Sequence, residues 1–249
     1  MGKRFLMPLF LLAIIIAAGV IINYIKDNWK SNLYIEPSSG NHTHTIIFLP
    51  GISNKPEDFE PLFRNKMQFQ KKNTTKIVIL RPKLHSITAL YGLILYSWFD
   101  VYNYPLNSSN DFNFEELKKA SNLLKEIIDE EAEELGYDYE KIIIGGHSQG
   151  AMIALFTGYT FEEKIGGVFS WSGVLPPLKR TDISKDKENL NVYLGYGDKD
   201  DKVNPEYYSR SINEIKDFKG LNVVVYPNHE HYVNSEEKKD VGLFLDKIM

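Results

Sequence analysis

The stretch GHSQG at residues 146–150 has the residue types of a nucleophilic turn. It follows the apolar run KIIIG and leads into the apolar run AMIALF, as expected for a strand, a sharp turn and a helix. In that setting a G-x-S-x-G pattern projects the serine hydroxyl above the sheet edge, and glycines avoid the clash that a Cβ would cause. The pattern predicts that Ser148 is a nucleophile and that the backbone N–H of Gln149 helps to bind an oxyanion. The alternative is a structural serine in a glycine-rich turn.

A nucleophilic serine needs a base, and the base needs a carboxylate that orients it. Where a serine turn of this kind lies on an α/β sheet, the acid follows the serine in the chain and the histidine comes last. Two histidines follow Ser148, His229 and His231, and both come just after the apolar run at residues 222–226. The turn after the preceding apolar run offers three carboxylates, those of Asp198, Asp200 and Asp201. The residues alone leave both choices open.

Short apolar runs rich in β-branched and aromatic residues recur through the chain, at 45–49, 76–80, 141–145, 167–171, 191–196 and 222–226. Runs that are apolar on both faces are typical of buried parallel strands. Helical periodicity lies between them, at 114–135, 149–157 and 235–248, and Asn113 and Gly136 are candidate caps of the first helix. Strands that alternate with helices predict a parallel α/β sheet without a second domain.

The N-terminal residues 5–25 carry no charge, and about 20 apolar residues suffice to cross a bilayer. The sequence therefore predicts an uncleaved transmembrane signal anchor over residues 1–26, a polar linker over 27–43 and a catalytic domain over 44–249. The alternatives are a cleaved signal peptide and a buried core helix. The charges that flank the apolar run favour a cytoplasmic N-terminus only slightly, which predicts a single-pass membrane protein.

The composition excludes several classes of function. The formal net charge of -4 gives no electrostatic support for a nucleic-acid partner. The chain has no cysteine, which excludes disulfides, thiolate metal sites and a cysteine nucleophile. His42 and His44 have no carboxylate or third histidine nearby in the sequence, so we expect no metal site there.

Six stretches, one of which contains GHSQG, occur in a familiar order: RPKLHSITALYG, SWFD, GGHSQGAM, WSGVLP, GYGDKDDKV and YPNHEH. From about residue 44 to its end, the chain resembles the phospholipase/carboxylesterase family of α/β-hydrolases, which includes acyl-protein thioesterases. The resemblance implies an α/β-hydrolase fold, with a mostly parallel central sheet flanked by helices. It also implies Asp200 as the acid, His231 as the base and the backbone N–H of Ile52 as a second oxyanion donor.

The same resemblance implies a serine hydrolase that cleaves carboxylic esters or thioesters through an acyl-enzyme, without a metal or an organic cofactor. The expected substrates are small or lipid-like acyl esters and thioesters, with S-acylated proteins as one candidate. Pro50 and Tyr196 stand where the family usually has histidines, and Asn228 stands where it has a glycine. Pro50 and Tyr196 leave open an inactive membrane-anchored scaffold on this fold, and a lysophospholipase is an alternative within the enzyme class.

The segment at residues 84–99 is unusually apolar for a connection between a strand and a helix. It is expected either to line an acyl pocket, through Leu90, Leu93 and Trp98, or to lie against a bilayer. The alternative is ordinary core packing. Asp100 is expected to accept backbone N–H groups and not to take part in catalysis.

Overall fold

A sheet of seven strands forms the centre of the computed structural model, which describes residues 31–183 and 185–249. The strands of the chain are β1 (Leu33–Ile35), β2 (His44–Leu49), β3 (Thr75–Ile79), β4 (Lys83–Ile87), β5 (Leu93–Ser97), β6 (Ile142–His147), β7 (Gly167–Trp171), β8 (Val192–Gly197) and β9 (Leu221–Tyr226). The central sheet has the order β1-β3-β2-β6-β7-β8-β9. Only β1 is antiparallel to its neighbour, so the predicted mostly parallel sheet is confirmed.

Both faces of the central strands are buried, which explains why their sequences are continuously apolar. Along β2, Ile47 and Leu49 contribute to one hydrophobic cluster, and Ile46 and Phe48 contribute to the other. The pleat sends successive side chains to opposite faces, so one short strand supplies both clusters.

Helices cover both faces of the sheet: α1 (Pro56–Pro61), α2 (Phe114–Glu134), α3 (Gln149–Thr160), α4 (Pro205–Ser211) and α5 (Ser235–Ile248). Side chains of α2 and α3 pack into one cluster, whereas those of α5 pack into the other. The three helices predicted from periodicity are present. The short helices α1 and α4 have no amphipathic period to read, but each begins with a proline, which suits the first helical turn.

The caps predicted for α2 are present. The side chain of Asn113 accepts the N–H of Glu116 at 3.2 Å. At the other end Gly136 has φ +73°, a left-handed conformation that glycine adopts without steric cost. The N–H of Tyr137 donates to the carbonyl of Ala132 at 2.7 Å, which closes the helix as in a Schellman motif.

Three strands differ from the expectations. β4 and β5 form a separate antiparallel hairpin from the apolar segment 84–99, and its tip includes Tyr91, which is fully exposed. β1 lies inside the stretch predicted to be a linker and pairs with β3. Three residues are too few to show a period, so the sequence gives no strand signal there.

No helix in the described part of the chain is long and apolar enough to cross a membrane. The longest, α2, has 21 residues, but its exposed side is densely charged. This finding corrects the predicted location, a single-pass membrane protein with a cytoplasmic N-terminus. The apolar run at residues 5–25, from which that prediction was drawn, lies outside the described residues.

Candidate active site

A strained turn between β6 and α3 holds Ser148. The serine has φ 54° and ψ −119°, and its N–H donates to the carbonyl of Trp171 at 2.9 Å. A Cβ on Gly150 would lie 2.0 Å from the carbonyl oxygen of Leu49, and a Cβ on Gly146 would lie 2.4 Å from the Gly150 backbone. Both glycines are therefore required by close backbone approach, and the hydroxyl of Ser148 projects from the turn.

The structure brings Ser148, His231 and Asp200 into one line. The Ser148 hydroxyl lies 2.8 Å from His231 Nε2, and His231 Nδ1 lies 2.8 Å from Asp200 Oδ2. The hydroxyl can thus donate to one ring nitrogen while the other donates to the carboxylate, if the proton of the neutral ring is on Nδ1.

The other candidate acids and base have different surroundings. The Nε2 of His229 faces the carbonyl of Tyr232 and, at 3.1 Å, the carboxylate of Glu237. The side chain of Asp198 is exposed, and Asp201 forms an ion pair with Lys202 at 2.6 Å. Of these candidates, the structure places Asp200 and His231 in line with Ser148.

The buried carboxylate of Asp200 accepts four hydrogen bonds. Its Oδ1 accepts the N–H groups of Lys202 at 2.8 Å and Val203 at 2.9 Å. Its Oδ2 accepts the hydroxyl of Tyr208 at 2.7 Å, in addition to His231 Nδ1 at 2.8 Å. Burial alone would raise the pKa of this carboxyl, but these donors and the charge interaction with His231 outweigh it and lower the pKa.

The loop after β2 lies beside Ser148. A Cβ on Gly51 would lie 2.9 Å from His147 Nδ1 and 3.1 Å from Ser148 Cβ, so the loop approaches as closely as a glycine permits. The indole N–H of Trp98 donates to the carbonyl of Pro50 at 2.8 Å, and the N–H of Ser53 donates to Tyr96 at 2.8 Å. Pro50 lacks an N–H, but the hydrogen bond from Trp98 goes to its carbonyl oxygen. A proline in place of the family histidine is therefore compatible with an ordered loop.

The side chain of Gln149 connects the start of α3 with the SWFD stretch. Its amide oxygen accepts the Ser97 hydroxyl at 2.9 Å and the Trp98 N–H at 3.2 Å, and its amide nitrogen donates to the Phe99 carbonyl at 2.8 Å. The sequence reasoning used only the backbone of Gln149 and missed this contact. Asp100 accepts the N–H and hydroxyl of Thr88, as expected of a structural aspartate.

A cavity of about 450 Å³ opens at Ser148. Its lining residues are Ile52, Ser53, Ala89, Leu90, Leu95, Tyr104, His147, Ser148, Lys202 and His231. Of the three side chains expected to contact substrate, Leu90 lines the cavity, whereas Leu93 and Trp98 do not. Leu93 is 55% exposed on the hairpin, and the indole of Trp98 is turned toward Pro50. Ala89 and Leu95 were missed because nothing in the apolar segment indicated the hairpin that contains them, and Tyr104 because it lies beyond that segment.

His147, the residue before Ser148 in the GHSQG stretch, was also missed. Its Nε2 lies 3.0 Å from the carbonyl oxygen of His231 and can donate to it, while its Nδ1 is buried beside Gly51 without a hydrogen-bond partner. Burial, together with the nearby ring of His231, lowers the pKa of His147 to about 4. The imidazole is therefore neutral at ordinary pH.

The loops that carry Asp200 and His231 also depend on close backbone contact. A Cβ on Gly197 would lie 2.0 Å from the carbonyl oxygen of His229, so only glycine fits there. Asn228 has φ 54°, and asparagine is among the few side chains that tolerate this left-handed region. Asn228 can therefore occupy a left-handed position at which the family pattern has a glycine.

Comparison with known proteins identifies the relatives of this chain. The phospholipase/carboxylesterase family model matches residues 30–249. The chain belongs to the phospholipase/carboxylesterase family. The resemblance drawn from the sequence is confirmed, and this family member is a hydrolase.

Several curated relatives carry the name acyl-protein thioesterase 1. The one from Mycosarcoma maydis is 29% identical over 236 residues, which cover 87% of this chain and 96% of the relative. The one from Debaryomyces hansenii is 28% identical over 211 residues, which cover 82% of this chain and 90% of the relative.

Solved structures share the fold. Arabidopsis thaliana SOBER1 superimposes with a TM-score of 0.75 at 20% identity, covering 82% of this chain and 98% of that one. Zea mays acyl-protein thioesterase 2 superimposes with a TM-score of 0.71 at 20% identity, covering 88% and 99%. The predicted α/β-hydrolase fold is thereby confirmed.

Proposed function

We propose that this family member hydrolyses carboxylic esters or thioesters, with Ser148 as nucleophile, His231 as general base and Asp200 as the acid that orients it. The main support is the continuous line of hydrogen bonds from Ser148 Oγ through His231 to Asp200, with both distances at 2.8 Å. A serine activated in this way attacks acyl carbon atoms.

The reaction follows from that geometry. Ser148 Oγ attacks the carbonyl carbon while its proton passes to His231 Nε2, and Asp200 stabilises the imidazolium that forms. The tetrahedral intermediate then collapses, the bond to the alcohol or thiol breaks, and His231 returns the proton to that leaving group. Water attacks the acyl-enzyme by the same steps and releases the carboxylic acid.

The oxyanion of the intermediate is proposed to bind the backbone N–H groups of Gln149 and Ile52. The N–H of Gln149 lies at the N-terminus of α3, where the helix dipole favours negative charge. Ile52 follows Gly51 in the loop that the Trp98 indole holds by the Pro50 carbonyl.

The acyl chain of the substrate is proposed to lie in the cavity beside Ser148. Ile52, Ala89, Leu90, Leu95 and Tyr104 give this cavity a mostly apolar wall, which suits a lipid-like chain. The names of the relatives support a thioester of an S-acylated protein as the substrate. A lysophospholipid would use the same wall, so the two are distinguished by comparing kcat/KM on an S-palmitoyl peptide with kcat/KM on a lysophospholipid.

Labelling with a fluorophosphonate probe tests the nucleophile. The wild-type protein should be labelled, and Ser148→Ala and His231→Ala should each abolish labelling and turnover of a short p-nitrophenyl ester. His42→Ala is the matched control, because His42 bonds the Thr45 hydroxyl and lies before β2, at the opposite end of that strand from the loop beside Ser148. Labelling that persists in Ser148→Ala would disprove the assignment, and a folded wild type without labelling would favour the inactive scaffold.

A further inference from the structure

A single carboxylate oxygen of Asp200 accepts two hydrogen bonds from different elements. Its Oδ2 lies 2.8 Å from His231 Nδ1 and 2.7 Å from the hydroxyl oxygen of Tyr208. Two donors on one oxygen compete for the same negative charge, so each weakens the other.

The phenol of Tyr208 is a fixed donor in this position. It is fully buried, and its pKa is raised well above the usual value by burial, by the nearby charge of Asp200 and by the hydrogen bond to that carboxylate. The phenol therefore keeps its proton through the whole range in which an esterase is assayed, and a carboxylate can only accept from it.

The ring of Tyr208 is held by its surroundings and has little freedom to turn away. It stacks on Tyr196 with ring centroids 4.0 Å apart and an interplanar angle of 7°. The short helix α4 that carries it begins at an Asn204 cap, whose own N–H donates to Leu106 at 2.9 Å. Tyr196 stands where the family pattern has a histidine, and in this structure its ring supports the ring of Tyr208 by stacking.

We propose that Tyr208 is a positioning residue for the Asp200–His231 pair, whose hydroxyl limits how strongly Asp200 holds a proton on the imidazole of His231. The proposal rests on the proposed function, because it assumes that His231 is the base. Without the hydroxyl, more negative charge stays on Oδ2 and the bond to Nδ1–H strengthens. Protonated His231 would then persist to higher pH, where it cannot accept the serine proton.

Other ionisable groups face this pair from the neighbouring elements. They are His147 at the end of β6, Lys202 before α4 and Glu237 on α5, which acts on Tyr208 through its charge. All of them are present in the wild type and in a Tyr208 variant alike. A difference between the two pH profiles therefore reports the removal of the hydroxyl.

The test is the pH dependence of kcat/KM on a p-nitrophenyl ester for the wild type and Tyr208→Phe. The matched control is Tyr207→Phe. Tyr207 is also buried on α4, but the hydroxyl that bonds Asp200 is that of Tyr208. We expect the acid limb of Tyr208→Phe to move up by about half a pH unit, which corresponds to the loss of one hydrogen bond, while Tyr207→Phe keeps the wild-type midpoint. Thermal unfolding of each variant verifies that folded protein is assayed.

Proton NMR gives a second readout that does not depend on turnover. The His231 Nδ1 proton should resonate further downfield in Tyr208→Phe, since its bond to Asp200 strengthens. Coincident acid limbs and an unmoved proton resonance would overturn the inference and leave the proposed function standing, as would an equal shift in Tyr207→Phe. A wild type without Ser148-dependent turnover would overturn both.

Discussion

The two histidines of the YPNHEH stretch, two residues apart, have separate partners at the residue scale. His231 faces Ser148, whereas His229 is buried with its Nε2 at 3.1 Å from Glu237. The carboxyl of Glu237 is fully buried, and burial raises its pKa. One histidine thus faces the proposed nucleophile, and the other contacts a buried acid.

Alanine substitutions should separate these two roles. His231→Ala is expected to reduce kcat on the order of 10³-fold or more, because the serine loses its base, with little change in stability. His229→Ala is expected to lower the free energy of unfolding by about 1–3 kcal/mol, because Glu237 loses a buried partner, while folded enzyme keeps most of its kcat. Steady-state kinetics and urea unfolding measure both. A large loss of kcat in fully folded His229→Ala would contradict the separation.

At the scale of elements, the β4–β5 hairpin forms one wall of the cavity, and its residues differ in what they face. Leu95 lines the cavity beside Ser148. Leu93, two residues earlier on the same strand, is 55% exposed and does not line it. Position along the strand, and not only hydrophobicity, therefore decides which side chain lines the cavity.

Bulky substitutions on β5 test this wall. Leu95→Trp should fill part of the cavity and lower kcat/KM for long acyl esters by about tenfold more than for short ones, as for other pockets that lose room. Leu93→Trp is the matched control and should leave the acyl-length profile unchanged. A series of p-nitrophenyl esters from acetate to palmitate gives the profiles. Equal changes in both variants would show that the acyl chain of the ester binds elsewhere.

The same elements show what the sequence could predict. Strands such as β2 and β6 could be predicted because burial on both faces requires an unbroken apolar run. The turn at Ser148 could be predicted because its close backbone packing requires glycines. The β4–β5 hairpin could not be predicted in this way. Its apolar residues are exposed at one end and line a cavity at the other, and neither environment requires a regular alternation of apolar and polar residues. The choice between His229 and His231 depends on a loop conformation, which local sequence does not encode.

At the scale of the whole molecule, the imidazole of His147 links stability to pH. The pKa of His147 is lowered from 6.5 to about 4 by burial and by the nearby His231. In the unfolded chain the imidazole takes up a proton as the pH falls through 6.5, whereas the folded state resists protonation until about pH 4. Stability is therefore lost as the pH falls through this window, because the unfolded state binds more protons.

A variant without this group should resist acid better. Between pH 7 and pH 4.5 the wild type is expected to lose roughly 2 kcal/mol more of its unfolding free energy than His147→Gln, which keeps a donor for the His231 carbonyl but cannot titrate. Urea unfolding at the two pH values measures this difference. Parallel losses in the two proteins would place the acid sensitivity at other groups.

The residues proposed for chemistry all follow the C-terminal ends of strands, at one edge of the central sheet. Asp138 is exposed in the turn before β6, at the opposite edge, and the chain has no cysteine. A cysteine introduced at Asp138 would be the only thiol of the protein. Coupling through it to a resin would fix every molecule in one orientation with its cavity facing the liquid, so the bound catalyst should keep the turnover of the free one.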